Sequence, residues 1–189
     1  MDEIWELYNE NGEPTGEKWH RKDAELIPKG RFYLIVSIWT VTEDNKVLVT
    51  LRAPTKEHCP LKWENSGGAA LFGETSRQAA VRELFEETGI KANEDELFFL
   101  NRNIEKNHII DNYIVRRDVK LSDIKLQEGE NCDKRLLEIS ELDEIINDGS
   151  LAEPIIYRLS LFRREFDEFI LGKKTIQRKD GQQCLIANK

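Results

Sequence analysis

The amino-acid sequence predicts an α/β protein whose mixed β-sheet is sandwiched between helices, in an α/β/α arrangement. Runs of β-branched and aromatic residues occur before and after a central segment, and such runs predict strands. Apolar residues at helical spacing mark the central segment, 76–88, and a second stretch, 154–173. Strands that precede, surround and follow helices are typical of a layered α/β domain.

The first strong strands, 32–42 and 46–53, are joined by a short polar turn and predict a hairpin. A loop-like stretch, 53–68, separates them from the central helix. In the second predicted helix, Pro154 occupies the first turn, which is a favoured position for proline. The remaining predicted elements are an edge strand at 4–8, strands at 96–104, 110–120 and 134–139, and a helix at 140–148.

The length of 189 residues suits one domain, and a chain of this size buries about two-thirds of its unfolded surface. We expect an N-terminal arm over 1–30, a single domain over 31–173 that includes the C-terminal helix, and a polar tail over 174–189.

Composition excludes several classes of protein. A net charge of −8 gives no basic footprint for nucleic acid. No apolar run reaches the roughly 18 residues of a membrane span, and the first residues do not form a signal peptide. The cysteines, Cys59, Cys132 and Cys184, form neither a disulfide framework nor a zinc pattern. The sequence therefore predicts a cytoplasmic protein without nucleic-acid or membrane partners.

The segment 76–88 carries clear helix signals. Thr75 and Gln78 fit a capping box, and Gly89 suits the left-handed residue that ends a helix. The apolar stripe expected to pack on the core comprises Ala80, Val81, Leu84 and Phe85.

Glu83, Glu86 and Glu87 lie together on another side of this helix. Like charges at this spacing repel one another, and the helix dipole disfavours anions near the C-terminal end. A hard divalent cation bound by carboxylate oxygens would remove the repulsion. A solvated acidic face is the common meaning of such a run, so the spacing alone leaves both interpretations open.

The complete pattern resembles the Nudix box at every defined position: Gly68, Glu74, Arg82-Glu83-Leu84, Glu86-Glu87 and Gly89-Ile90. The resemblance extends more loosely over roughly residues 30–150. It implies the Nudix fold and hydrolysis of a nucleoside diphosphate linked to another moiety, with Mg²⁺ or Mn²⁺ as the cofactor.

The resemblance also implies roles for individual residues. Glu83, Glu86, Glu87 and the Gly68 carbonyl would hold the metal, and Glu83 would also be a candidate base on the attacking water. Arg82 would orient a glutamate, with Glu86 one turn on as the favoured partner. Glu74 would support the loop that precedes the helix.

Residues outside the box complete the expected site. Glu130 is a candidate for a further acid that enters from a loop, with a solvated glutamate as the alternative. Arg52 and Lys56 leave a core strand and are candidates for binding phosphate oxygens. Trp63 is expected to pack in the core, with stacking on a base as the alternative. The three histidines are expected to be exposed to solvent.

The segments before the box resemble the isopentenyl diphosphate isomerase branch of the same superfamily. That chemistry needs a cysteine and histidines that this chain lacks, since its loop reads "SGGAA" and Cys59 comes too early. Tyr33, Asp111 and Tyr113 stand where metal-binding histidine and glutamates would be expected. Hydrolysis is therefore the favoured reaction, and an isomerase-like enzyme or a non-catalytic nucleotide-binding module is the alternative. The sequence pattern is compatible with a homodimer and does not select one physiological substrate.

Overall fold

The computed structural model describes residues 2–173 and residue 180. Within these residues nine strands form one sheet: β1 (Ile4–Tyr8), β2 (Pro14–His20), β3 (Phe32–Thr42), β4 (Val47–Arg52), β5 (Trp63–Glu64), β6 (Ser66–Ala69), β7 (Phe98–Glu105), β8 (His108–Arg117) and β9 (Asn131–Leu137). The α-helices are α1 (Ser76–Thr88), α2 (Ile139–Asn147), α3 (Glu153–Ser160) and α4 (Arg163–Ile170). Short 3₁₀ helices cover Arg21–Leu26, Glu94–Glu96 and Leu121–Asp123.

Strand β3 is the centre of the sheet. One edge pairs in parallel with β8 along the length of the strand. The other edge is shared by β1, β6 and β4, each of which pairs with β3 in an antiparallel direction. This arrangement brings the glycine-rich strand β6 into the middle of the sheet, where Gly68 lies opposite Val36.

Two hydrophobic cores cover the two faces of the sheet. Helix α1 packs on one face, where Leu84 and Ala80 contact a cluster that includes Leu34, Val36 and Phe99. Helices α2, α3 and α4 pack on the other face, with side chains that surround Trp39 and Trp63. The sheet is mixed and lies between helices, so the predicted fold class is confirmed.

Several predicted elements differ in detail. Strand β1 is not the edge of the sheet, because β2, which the sequence suggested to be a turn-rich arm, pairs outside it. The loop-like stretch 53–68 contains the two short strands β5 and β6. The predicted helix 154–173 is broken into α3 and α4 at Phe162, whose φ of −139° is not helical.

The expected tail, 174–189, lies outside the described residues except for Asp180, which forms an ion pair with Arg77. No helix in the described part of the chain is long and apolar enough to cross a membrane.

Candidate active site

Helix α1 begins and ends where its capping residues predict. The Thr75 hydroxyl accepts the backbone N–H of Gln78 at 3.2 Å, and the Gln78 side chain accepts the backbone N–H of Thr75 at 2.9 Å. Gly89 ends the helix with a φ of 73°. These reciprocal bonds satisfy N–H groups that a helix leaves unpaired at its first turn. The caps fix where α1 begins and ends, and the rotation of the helix about its own axis decides which side chains face β6.

The predicted packing face of α1 is confirmed for Ala80 and Leu84, which are fully buried, and Val81 is half-buried against the same core. The prediction is wrong for Phe85, which is 48% exposed. Ala79 is buried in the sheet-facing row instead. The helix is turned so that Glu87, and not Phe85, faces the sheet.

Glu87 is the most buried of the box glutamates, with 8% exposure. Its carboxylate accepts the backbone N–H of Gly67 at 3.1 Å. A β-carbon at position 67 would lie 2.3 Å from the Val36 carbonyl oxygen, and one at position 68 would lie 2.5 Å from the carboxylate of Glu83. Only glycines at both positions allow β6 to join the sheet and the glutamates to lie directly against it.

Arg82 connects the box residues to one another. Its guanidinium binds both carboxylate oxygens of Glu74, at 2.8 and 2.9 Å, and donates to the Ala69 carbonyl at 3.0 Å. It also donates to Glu83 at 2.7 Å and to the half-exposed Glu86 at 3.0 Å. Arg82 therefore orients Glu83 as well as the predicted Glu86. Its two-bond contact is with Glu74, which also accepts the Leu71 N–H at 2.9 Å.

A second group of charges lies where strands β4 and β5 end and strand β9 begins. Arg52 donates to Glu64 at 2.6 Å and to the His58 carbonyl at 2.9 Å. Lys56 donates to Glu130, because the backbone bond from Ala53 to the Glu130 carbonyl, at 2.9 Å, brings the two loops together. The predicted phosphate-binding cations are thus both held by carboxylates next to the box.

Glu64 is a site residue that sequence reasoning missed. It lies in the two-residue strand β5, within the stretch that was expected to be a loop. The available signal was its position in "WENSGG", directly before the glycines of the box. Its charge acts on Glu87, as do those of Glu83 and Glu130, so four carboxylates converge on one region.

The electrostatics of this region are unfavourable for so many anions. Burial raises the pKa of Glu87 well above its usual range, and the charges of Glu64 and Glu83 raise it further. Burial also raises the pKa of Glu83, although Arg82 opposes the shift. The pKa of Glu64 is raised by burial as well, against the effect of Arg52. Strongly perturbed acids that are grouped at one place are typical of functional sites.

The residues fit a hard divalent cation by their chemistry. Carboxylate and carbonyl oxygens are the preferred ligands of Mg²⁺, and a cation would offset the repulsion that raises the pKa of Glu87. As placed, no three acidic, histidine or cysteine side chains of the described residues lie close enough to share one ion. Glu83, Glu64 and Glu130 each contact a cationic side chain instead, so ion binding would require these contacts to loosen.

The residues at the isomerase positions have other partners. Asp111 is fully buried and receives two bonds from Arg102, at 2.6 and 2.7 Å. Tyr113 is buried and donates to Ser76 at 2.9 Å. Tyr33 stacks on Trp5 with ring centroids 4.2 Å apart. Each of the three side chains is thus held by its own partner, and the three do not form a shared metal site.

The other residues singled out by sequence have structural surroundings. Trp63 is buried in the core, as expected. His20 and His58 are exposed, as expected. His108 is not, because its half-buried ring lies against Tyr33 and 3.5 Å from Glu105.

Comparisons with known proteins show which family the chain resembles. The NUDIX domain profile matches residues 32–159. An uncharacterised Nudix hydrolase of Listeria monocytogenes is 34% identical over 161 residues, which cover 85% of this chain and 94% of that protein. Isopentenyl-diphosphate Delta-isomerase of Escherichia coli is 32% identical over 114 residues, which cover 57% of this chain and 60% of the isomerase.

Solved structures show the same fold. A protein of Deinococcus radiodurans has a TM-score of 0.67 at 22% identity, covering 86% of this chain and 98% of that one. A bifunctional NMN adenylyltransferase/ADP ribose pyrophosphatase of Francisella tularensis, complexed with AMP and a manganese ion, has a TM-score of 0.56 at 19% identity. It matches over 71% of this chain and 42% of its own.

The sheet is mixed, and the glutamates of α1 lie against the glycine-rich strand β6. This arrangement is that of the Nudix superfamily. The profile and the Listeria relative then place it further: the chain belongs to the Nudix hydrolases. This class of pyrophosphohydrolases acts on small phosphorylated molecules and generally uses divalent metal ions.

Proposed function

We propose that this chain is a Mg²⁺- or Mn²⁺-dependent hydrolase of a phosphoanhydride in a nucleoside diphosphate derivative or a related diphosphate. The observation that carries the proposal is the buried carboxylate of Glu87 on the Gly67 N–H, with Glu83 packed against Gly68. The manganese ion and AMP in the Francisella structure support the metal and the nucleotide class.

The proposed metal-holding groups are those of the box and its neighbours. They comprise the Gly68 carbonyl, Glu83, Glu86, Glu87 and Glu130, with Glu64 added by the structure. A bound divalent ion would polarise phosphoryl oxygens and lower the pKa of a water molecule.

Hydrolysis adds water to one phosphorus atom while the bridging oxygen leaves with the other phosphate. Glu83 is the proposed acceptor of the proton from this water. Arg82 holds the Glu83 carboxylate at 2.7 Å, and Glu74 in turn holds Arg82 through two bonds. Arg82 therefore acts as a positioning residue, because it fixes the geometry of the base without contacting the reacting atoms in this proposal.

Arg52 and Lys56 are the proposed phosphate-binding residues. Each is paired with a carboxylate, Glu64 or Glu130, that is also a proposed metal-holding group. Incoming phosphates and cations would allow both pairs to exchange partners, since the carboxylates could bind the metal while the freed cations bind phosphate. The ion pairs thus keep both groups near the site before the substrate arrives.

Substitution of Glu83 by glutamine tests the proposed role. The change keeps the shape of the side chain but removes the carboxylate, and a general base typically contributes about 10²–10⁴ in rate. We expect kcat to fall at least about 10²-fold, with a smaller change in KM. The assay is chromatographic detection of cleavage products from a diphosphate panel with Mg²⁺ or Mn²⁺, and Glu94→Gln, an exposed glutamate, is the control.

Three results would contradict the proposal. A Glu83→Gln enzyme that retains the wild-type rate would remove Glu83 from the mechanism. Conversion of isopentenyl diphosphate to its isomer by the wild type would show that the isomerase alternative was correct. Binding of nucleoside diphosphates without turnover under any metal condition would indicate a binding module.

A further inference from the structure

Strand β1 changes its pairing partner along its length. Leu7, in the second half of the strand, lies opposite Tyr33 of β3. The first half pairs instead with residues 71–75, the segment between β6 and α1, which we call the box loop. Trp5 lies opposite Leu71 there, in an antiparallel bridge. The N-terminal arm, which precedes the segment that the family profile matches, therefore contacts the segment that leads into α1.

The box loop has an exposed tip that the arm supports. Phe72 is 38% exposed, and Gly73, with a φ of 84°, has open space where a β-carbon would point. The Phe72 N–H donates to the Ile4 carbonyl of β1 at 2.8 Å. The Lys18 ammonium of β2 lies 4.5 Å from the centre of the Phe72 ring. Both strands of the N-terminal hairpin thus contact the box loop.

The box loop in turn holds the arginine that orients Glu83. The Leu71 N–H donates to the Glu74 carboxylate at 2.9 Å, and the Glu74 N–H donates to the Leu71 carbonyl at 3.0 Å. The same carboxylate holds Arg82 through two bonds, and Arg82 donates to Glu83 at 2.7 Å. Each bond in this series places the group that makes the next one. A displacement of Leu71 would therefore move the proposed base.

The indole of Trp5 fixes the half of β1 that supports the loop. It is 4% exposed and stacks on Tyr33, with ring centroids 4.2 Å apart and planes 13° from parallel. Its Nε1–H donates to the Glu3 carboxylate at 3.2 Å. Backbone pairing of β1 with β3 covers Leu7 and Tyr8, so the stacked rings connect the preceding residues to the centre of the sheet. Stacked aromatic pairs add to the stability that burial alone provides.

We propose that Trp5 is a positioning residue for the reaction, because it fixes the box loop through which Glu74 and Arg82 orient Glu83. This inference rests on the proposed function and adds a residue from outside the box to its machinery. Trp5 does not contact the reacting atoms in this proposal. Catalytic groups must be held within about 0.5 Å of their productive geometry, so loosening a supporting loop should slow the reaction more than it weakens substrate binding.

Trp5→Ala is the test variant, assayed with the best substrate of the diphosphate panel. We expect kcat to fall at least about tenfold while KM stays within about twofold of the wild type. Trp5→Phe keeps a ring that can stack on Tyr33, so it should restore kcat to within about threefold of the wild type. Trp19→Ala is the matched control, since this indole lies opposite Trp5 in the same hairpin but donates to the Asp23 carbonyl at 2.8 Å. This control should leave kcat within about twofold of the wild type.

A double variant tests the route through Arg82. If Trp5 acts through this arginine, adding Trp5→Ala to Arg82→Lys should lower kcat by no more than about twofold beyond Arg82→Lys alone. Independent losses that multiply in the double variant would overturn the inference. So would a wild-type kcat in Trp5→Ala, an equal loss in Trp19→Ala, or a Trp5→Phe enzyme that is as slow as Trp5→Ala.

Amide hydrogen exchange measured by NMR tests the support of the loop without using activity. We expect the Phe72 amide, which donates to Ile4, to exchange at least about tenfold faster in Trp5→Ala than in the wild type. The reference is the Ala70 amide, which donates to the Leu34 carbonyl of β3 at 2.9 Å and should change by no more than about threefold. Equal acceleration at both amides, or none at Phe72, would overturn the inference.

The outcomes also separate this inference from the proposed function. If the wild type cleaves no diphosphate, the proposed function fails, and hydrogen exchange still decides whether Trp5 fixes the box loop. Metal-dependent cleavage that Trp5→Ala leaves at the wild-type rate would keep the proposed function and refute the inference. If circular dichroism shows that Trp5→Ala is unfolded, Trp5→Leu, which keeps an apolar side chain but removes the ring stacking, is measured against the same criteria.

Discussion

Two acidic side chains are buried near opposite ends of helix α1, and their surroundings differ. Asp111, near the N-terminal end, receives two bonds from Arg102 and one from Ser76 at 2.6 Å. Glu87, near the C-terminal end, receives one backbone N–H at 3.1 Å and lies among other carboxylates. One buried acid beside the helix, Asp111 of β8, therefore has a balanced charge, whereas the buried acid on the helix itself, Glu87, does not.

The difference separates an acid with a structural role from the acid that we propose as a metal ligand. A buried charge is stable when a cation and hydrogen bonds compensate for its lost hydration, and Arg102 with Ser76 does this for Asp111. Nothing comparable surrounds Glu87 in the described residues, and its pKa is raised by burial and by neighbouring carboxylates. This lack of compensation is the reason why we propose Glu87 as a metal ligand.

Removal of the balanced acid should have the largest effect on stability. Asp111→Ala leaves the Arg102 guanidinium, 13% exposed, without its carboxylate. We expect a loss of about 3–5 kcal/mol in the free energy of unfolding, measured by urea denaturation. Glu87→Gln is the matched comparison without metal ions, and it should cost less than about 1 kcal/mol because it removes an acid that no cation compensates. Equal losses in the two variants would abolish the distinction.

Arg82→Lys should reduce activity while the protein stays folded. Lysine keeps the charge but cannot form the two-bond contact with Glu74 while also reaching Glu83. Residues that orient metal ligands typically contribute about 10–100-fold. We expect kcat to fall by that factor with a smaller change in KM. A variant with wild-type kcat would show that Glu83 needs no positioning by Arg82.

Glu105 extends the comparison to an acid with several partners. Burial alone would raise its pKa, but bonds from His108, Arg158 and Asn103 outweigh this effect and lower the pKa to about 2 from the usual 4.5. A lowered folded-state pKa means that the contribution to stability is present above about pH 4.5 and is lost as the pH falls through about 2.

Glu105→Gln should therefore cost about 1–3 kcal/mol near neutral pH. The difference between the unfolding free energies of wild type and variant should shrink as the pH falls from about 4.5 towards 2. Denaturation curves across that pH range provide the measurement. A difference that does not depend on pH would show that the ionisation of Glu105 does not stabilise the fold.

Much of the fold could be predicted because the relevant signals are local. The caps at Thr75 and Gly89 defined α1, and β-branched runs defined β3, β4 and β8. Strand β5 could not be predicted, because two residues carry no periodicity. The same reason concealed Glu64, which becomes a site residue only through its pairing with β4.

The rotation of α1 was the main error within the site. Apolar periodicity favoured burial of Phe85, but Glu87 is bonded to Gly67 and takes the sheet-facing position. A pattern that assumes apolar residues always face inward fails where an acid faces inward, as Glu87 does. Likewise, sequence could indicate Arg52, Lys56 and Glu130 singly, whereas the pairing of each cation with a carboxylate depends on contacts between strands that are distant in sequence.

Calorimetric titration of Mn²⁺ into the wild type, Glu87→Gln and the exposed control Glu94→Gln tests the central claim most directly. The claim is that the uncompensated acid at Glu87 is the core of a divalent-metal site. We expect Glu87→Gln to bind Mn²⁺ at least about tenfold more weakly than the wild type, because a ligand carboxylate is lost, and we expect Glu94→Gln to match the wild type. Equal affinities for the wild type and Glu87→Gln, with both proteins folded, would contradict the claim.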